Sequence, residues 1–83
     1  MKKTVTVTQQ VEIEIDESKF TDEFMAEFRQ HFYPFTSIDD HIQHLAQLEA
    51  RGILSSSFVE GYGPPEEFGI QARVAWTEEE IEA

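Results

Sequence analysis

The chain has 83 residues, one domain's worth, and no cysteine, which excludes disulfides, thiolate metal sites and a cysteine nucleophile. Seventeen Asp and Glu against six Lys and Arg give a formal charge of -11, which repels phosphate backbones and anionic lipid and so argues against direct DNA, RNA or membrane binding. An apolar fraction of 40%, with seven Phe, two Tyr and one Trp, supplies a core and argues against disorder.

Residues 4 to 16 alternate. Val5, Val7, Val11, Ile13 and Ile15 share one parity, and Thr4, Thr6, Thr8, Gln10, Glu12, Glu14 and Asp16 share the other. A period of two rich in β-branched residues predicts a long, half-buried strand, with a bulge near Gln9-Gln10 where the apolar face is interrupted. Met1-Lys2-Lys3 resembles the charged start of a signal peptide, but no continuous apolar run follows it.

A first helix is expected after Ser18 or Thr21, either of which caps it, with Asp22 and Glu23 at the positive end of its dipole. Phe20, Phe24, Phe28 and Phe32 recur every four residues and read as a core stripe. Pro34 pushes Tyr33 out of helical geometry, so the helix ends near His31 to Tyr33. Ser37 with Asp40 forms a capping-box variant opening a second helix, whose inward stripe is Ile38, Ile42, Leu45 and Leu48 with His41 partly buried. Gly52 is its expected C′ residue.

Ile53 to Tyr62 is expected as a second strand, although Ser55-Ser56-Ser57 disturbs its parity. Gly61-Tyr62-Gly63-Pro64-Pro65 is turn chemistry, and Phe68, Ile70, Ala72, Val74 and Trp76 alternate as a third strand. Residues 78 to 83 read as a frayed acidic tail. The expected fold is α+β in the order β-α-α-β-β: a single domain over 1–83, with two helices on one face of a three-stranded antiparallel sheet.

The densest charge lies where the first strand meets the first helix. Glu12, Glu14, Asp16, Glu17, Asp22, Glu23 and Glu27 face Lys19 alone. Glu12, Glu14 and Asp16 project from one strand face about 6.8 Å apart, at roughly 3.4 Å per residue. Glu23 and Glu27 stand one turn apart, where like charges destabilise a helix by a few tenths of a kcal/mol. The candidate partner is therefore a positively charged protein surface, one that holds nucleic acid in other circumstances. Tyr62, in its glycine-rich loop, is a further candidate contact, with Glu60, Glu66 and Glu67 around it.

Other chemistry is thinly supported. His41 and His44 lie at i and i+3 beside Asp39 and Asp40, with His31 elsewhere, but no further ligand has zinc-site spacing, so neither a metal nor a cofactor is expected. The G-x-G of residues 61–63 has no dinucleotide or P-loop surroundings. No nucleophile is spaced from a base, so the chain is not expected to be an enzyme.

A short, cysteine-free, acidic α+β chain is similar in size and composition to the small inhibitor proteins encoded by phages and mobile elements, among them anti-CRISPR proteins and other DNA mimics. The resemblance implies an inhibitor in the host cytoplasm that occupies a basic nucleic-acid-binding channel of a defence complex. It carries over no functional residue. A regulatory or scaffolding module binding through Tyr33, Phe35 and Tyr62 is the alternative, and a small metal-binding protein a third reading. Either a monomer or a homodimer joined at a free strand edge fits the expected sheet.

Overall fold

The computed structural model describes residues 1–82. Strand β1 (Thr4–Glu14) leads through a 3₁₀ turn (Glu17–Lys19) into helix α1 (Asp22–His31) and helix α2 (Ile38–Ala50). A long connection containing a second 3₁₀ turn (Pro65–Phe68) then returns the chain to strand β2 (Gln71–Glu82). β1 and β2 pair antiparallel along their whole length, from Thr4 opposite Glu82 to Glu14 opposite Gln71. Among the described residues the sheet has these two strands and no third, which corrects the three-stranded expectation.

The helices begin where local chemistry places them. Thr21 caps α1 by accepting from the Phe24 amide at 3.1 Å. Ser37 and Asp40 form a reciprocal capping box at α2: the Ser37 hydroxyl accepts from the Asp40 amide, and the Asp40 carboxylate accepts from the Thr36 and Ser37 amides. Those bonds hold the Asp40 carboxyl below the usual carboxylate range. Gly52, with φ of 71°, follows the last turn.

The expected strand over Ile53–Tyr62 is a sequence of turns. The Ser55 hydroxyl accepts from the Ser57 and Phe58 amides, a local bond that competes with strand pairing. Val59 and Gly63 then exchange backbone hydrogen bonds at 2.8 and 2.9 Å, closing a tight loop. Phe68, expected at the head of the third strand, lies in the 3₁₀ turn, and Gly69 at φ of 63° ends it.

The core is aromatic. Phe20, Met25, Phe28, Leu45, Val59, Tyr62 and Ile70 are buried, with Ile13, Ile15, Phe24, Phe35 and Phe68 packed around them. Gly61 is dictated by this packing: its φ is 89°, and a Cβ there would stand 2.5 Å from a Phe28 ring carbon.

The strands outrun this core. Only the inner end of the ribbon, at Val11, Ile13 and Ala72, is half-buried, and α2 packs against both strands. From Thr4 to Gln10 and from Arg73 to Glu82 every residue is exposed. The molecule is accordingly 51 Å long and 22 by 20 Å across, with a radius of gyration of 15.4 Å, where a globular chain of this length gives about 12 Å. It is a compact aromatic body carrying a projecting two-stranded arm.

The arm also corrects two side-chain expectations. A bulge lies between Gln10 and Val11, which pair with Trp76 and Val74 and leave Ala75 without a partner. One extra residue reverses the parity of all that follows. Trp76 therefore does not join Ala72 and Val74 on the apolar face; it lies on the polar face, 47% exposed. Glu78 to Glu82, expected to fray, are ordered strand residues, and Ala83 lies outside the described residues.

Candidate binding surface

The acids at the strand-to-helix corner have separate local duties. Glu12 forms a 2.6 Å ion pair with Arg73, its cross-strand neighbour, with both side chains largely in solvent. Asp16 caps the first 3₁₀ turn, its Oδ1 accepting from the Ser18 amide at 3.0 Å and the Ser18 hydroxyl at 2.7 Å. Those two bonds hold the Asp16 carboxyl below the usual range. Glu17 lies in the same turn. Asp22 and Glu23 occupy the first turn of α1, where they offset the exposed amides of its dipole. Glu27 follows one turn later, exposed.

Strand pairing adds acids that the linear sequence separates. Residues directly opposite in an antiparallel pair point to the same face. On β1 the polar face carries Thr4, Thr6, Thr8, Gln10, Glu12 and Glu14. Opposite them, in order, stand Glu82, Glu80, Glu78, Trp76, Arg73 and Gln71. Five carboxylates therefore line one face of the ribbon: Glu12 and Glu14 at its base, and Glu78, Glu80 and Glu82 along the arm. Successive glutamates on one strand are about 6.8 Å apart. Thr6 donates to the Glu82 carboxylate at 3.2 Å across the strands. Among the described residues, Glu12–Arg73 is the one ion pair.

Glu78, Glu80 and Glu82 were legible as charge but not as geometry. The available signal was length: a strand as long as β1 needs a partner of equal length, and Ile81, lone apolar residue among the terminal acids, supplies a cross-strand neighbour for Val5.

Tyr62 is not a surface contact. It is 3% exposed, and its hydroxyl lies 2.7 Å from Nδ1 of His41, a fully buried histidine. Burial raises the Tyr62 pKa above that of a free phenol and lowers that of His41 below 6.5, the latter aided by His44. The His41 ring packs edge-on against Phe20, Phe28 and Phe35 at centroid distances of 4.6 to 5.3 Å. Its Nε2 has no hydrogen-bond partner among the described residues. The pair is a polar element of the core. Tyr33 is half-exposed and stacks on Phe35 at 5.4 Å. Of Tyr33, Phe35 and Tyr62, Tyr33 alone is open to solvent.

Among the described residues no three His, Asp or Glu side chains converge as a metal site. No helix among them is long and apolar enough to cross a membrane. No family model, curated protein or solved structure matches the chain.

Proposed function

We infer that the protein is an inhibitor that acts by binding: it lays the carboxylate face of its ribbon on a Lys/Arg-rich protein surface that otherwise holds nucleic acid. The observation that carries this reading is the row of Glu12, Glu14, Glu78, Glu80 and Glu82 on one face of a ribbon that is bare on both sides along the arm. Along a strand the glutamates recur at about 6.8 Å, which is about twice the 3.4 Å rise per phosphate on one DNA strand. A paired ribbon holds them at fixed spacing, so little ordering entropy is lost when they dock. Resemblance in size, charge and class to phage-encoded DNA mimics points the same way, with a nucleic-acid-binding defence complex as the partner.

This reading shifts weight within the acidic surface. Asp16, Asp22 and Glu23 already serve turns and a helix end, whereas among the described residues the three arm glutamates make the single Thr6 bond. The test is a pull-down from the host at low and high salt, followed by titration of the captured partner with a DNA duplex. Salt-sensitive capture, competition by the duplex and loss of binding on reversing Glu78, Glu80 and Glu82 to Lys are expected. Capture that survives high salt and ignores both duplex and reversal would reject it, and would favour apolar docking at the exposed Tyr33.

A further inference from the structure

We propose that two copies of the protein join along the free edge of β1, forming a four-stranded antiparallel sheet in the order β2-β1-β1-β2. The acidic face stays open in this arrangement, which stands on observations separate from those behind the proposed inhibitor role.

An isolated two-stranded ribbon is marginal in water, and three or more strands or a covering layer are the usual remedy. The arm has neither. Val5, Val7 and Ile81 share one of its faces with Glu79, Gln9 and Thr77, Val7 is 56% and Ile81 68% exposed, and no helix among the described residues covers them.

The two edges of the arm differ in kind. Thr4 to Val11 runs for eight residues without a charge, a proline or a glycine, and six of the eight are β-branched. These are high strand formers, and the edge lacks the devices that normally block strand addition. The outer half of β2 has such a device: Glu78, Glu79, Glu80 and Glu82. Pairing that edge with its own copy would set glutamate against glutamate, which is unfavourable for directly opposed strands. Of the two edges, β1 is the one open to a second strand.

Symmetry then restricts the register. A two-fold axis perpendicular to the sheet keeps each face on its own side, so every residue must oppose one of its own parity. The axis passes beside a residue that faces its own copy. Centred on Thr8, the pairing sets Lys2 opposite Glu14 of the other copy. Centred on Val7, it sets Lys2 opposite Glu12 of the other copy. In both, the basic tip of one arm meets the acidic base of the other. The glutamate-rich outer halves of β2 stay on opposite margins, three strand spacings or about 14 Å apart, beyond the ~8 Å screening length at physiological salt. Charge therefore favours this pairing and opposes the alternative one.

The test combines sedimentation with cross-linking on the full chain. The wild-type protein is expected to sediment at twice its 9.6 kDa mass, dissociating on dilution. The double variant Thr6→Lys, Thr8→Lys sets its new lysines opposite Glu80 and Glu78 of the same ribbon, which preserves β1–β2 pairing. Between copies it sets lysine against lysine in either register, so it is expected to be monomeric with unchanged circular dichroism. Because the chain has no cysteine, Thr8→Cys or Val7→Cys is expected to oxidise to a covalent dimer, and Glu80→Cys is not. A wild type that stays monomeric at every concentration, a lysine variant that remains dimeric, or cross-linking at position 80 as efficient as at 7 and 8 would overturn the proposal. The cysteine comparison decides the matter if the lysine variant fails to fold.

Discussion

The body and the arm obey different rules. In the body, Phe20, Phe28, Leu45 and the His41–Tyr62 pair are buried in one aromatic core. In the arm, valines, threonines and glutamates are all exposed, and backbone pairing with a little side-chain contact holds them together. The body contains nearly everything that keeps the chain folded, and it exposes Phe32, Tyr33, Ile53 and Phe58 at its surface. The arm contains Glu78, Glu80 and Glu82 of the carboxylate row and little that stability requires. Substitutions separate the two regions.

The largest effect is expected at Phe28, 2% exposed and in contact with rings from both helices and the loop. Phe28→Ala should cost about 3–5 kcal/mol through lost burial and a residual cavity. That is a large part of the 5–15 kcal/mol typical of a whole domain, and urea denaturation followed by circular dichroism measures it. Gly61→Ala comes next. It forces a side chain into a positive-φ position and against Phe28, and should cost roughly 2 kcal/mol or more. If both changes were mild, the body would not be the source of stability.

The His41–Tyr62 pair makes the body sensitive to pH. Burial depresses the folded pKa of His41, so below about 6.5 the unfolded chain binds the proton more readily than the folded one. The contribution of the neutral imidazole is therefore complete above pH 6.5 and declines as the pH falls toward the depressed folded value. His44 is depressed in the same direction by its own burial and by Arg51. The urea midpoint should fall between pH 7 and 5. The double variant His41→Phe, Tyr62→Phe should show a shallower decline, because it removes the buried titrating group and its partner together without stranding either. A slope identical to the wild type would place the acid sensitivity elsewhere.

The same division explains what could be read from the residues in order. The α2 capping box, the Thr21 cap and the break before Pro34 are decided within a few residues, and they occur where expected. The bulge expected at Gln9-Gln10 of the first strand falls instead on the other strand, where Ala75 is the extra residue, while β1 keeps its alternation. The apolar residues of Ile53–Tyr62 suggest a strand, but the bonds of Ser55 and the Val59–Gly63 closure turn the chain back on itself. Residues 78 to 82 are the converse case. Glutamate is a poor strand former, and only β1 lying alongside makes these residues a strand. The acidic corner was visible as composition, but its continuation across the ribbon depends on register, which one parity reversal at Ala75 sets.

The smallest effect on stability, and the sharpest on the comparison, is expected at Arg73. It is the one basic side chain on the polar face of β1 and β2, and it pairs with Glu12 where both groups are largely exposed. Exposed pairs contribute about 0–1 kcal/mol because solvent screens them and side-chain ordering offsets the attraction. Arg73→Gln should therefore move the urea midpoint only slightly, with circular dichroism unchanged. Its effect on a basic partner should have the opposite sign: removing the cation leaves Glu12 uncompensated and lengthens the free carboxylate row. Binding at low salt should tighten and its salt dependence steepen, since each additional contact with a basic group adds to the electrostatic part of the affinity. A substitution in the buried core cannot give that combination, because whatever it does to binding it does by depleting the folded state. If Arg73→Gln weakens binding while the fold is intact, Arg73 is itself a contact, and the ribbon would be recognised by shape and mixed charge rather than by its row of carboxylates.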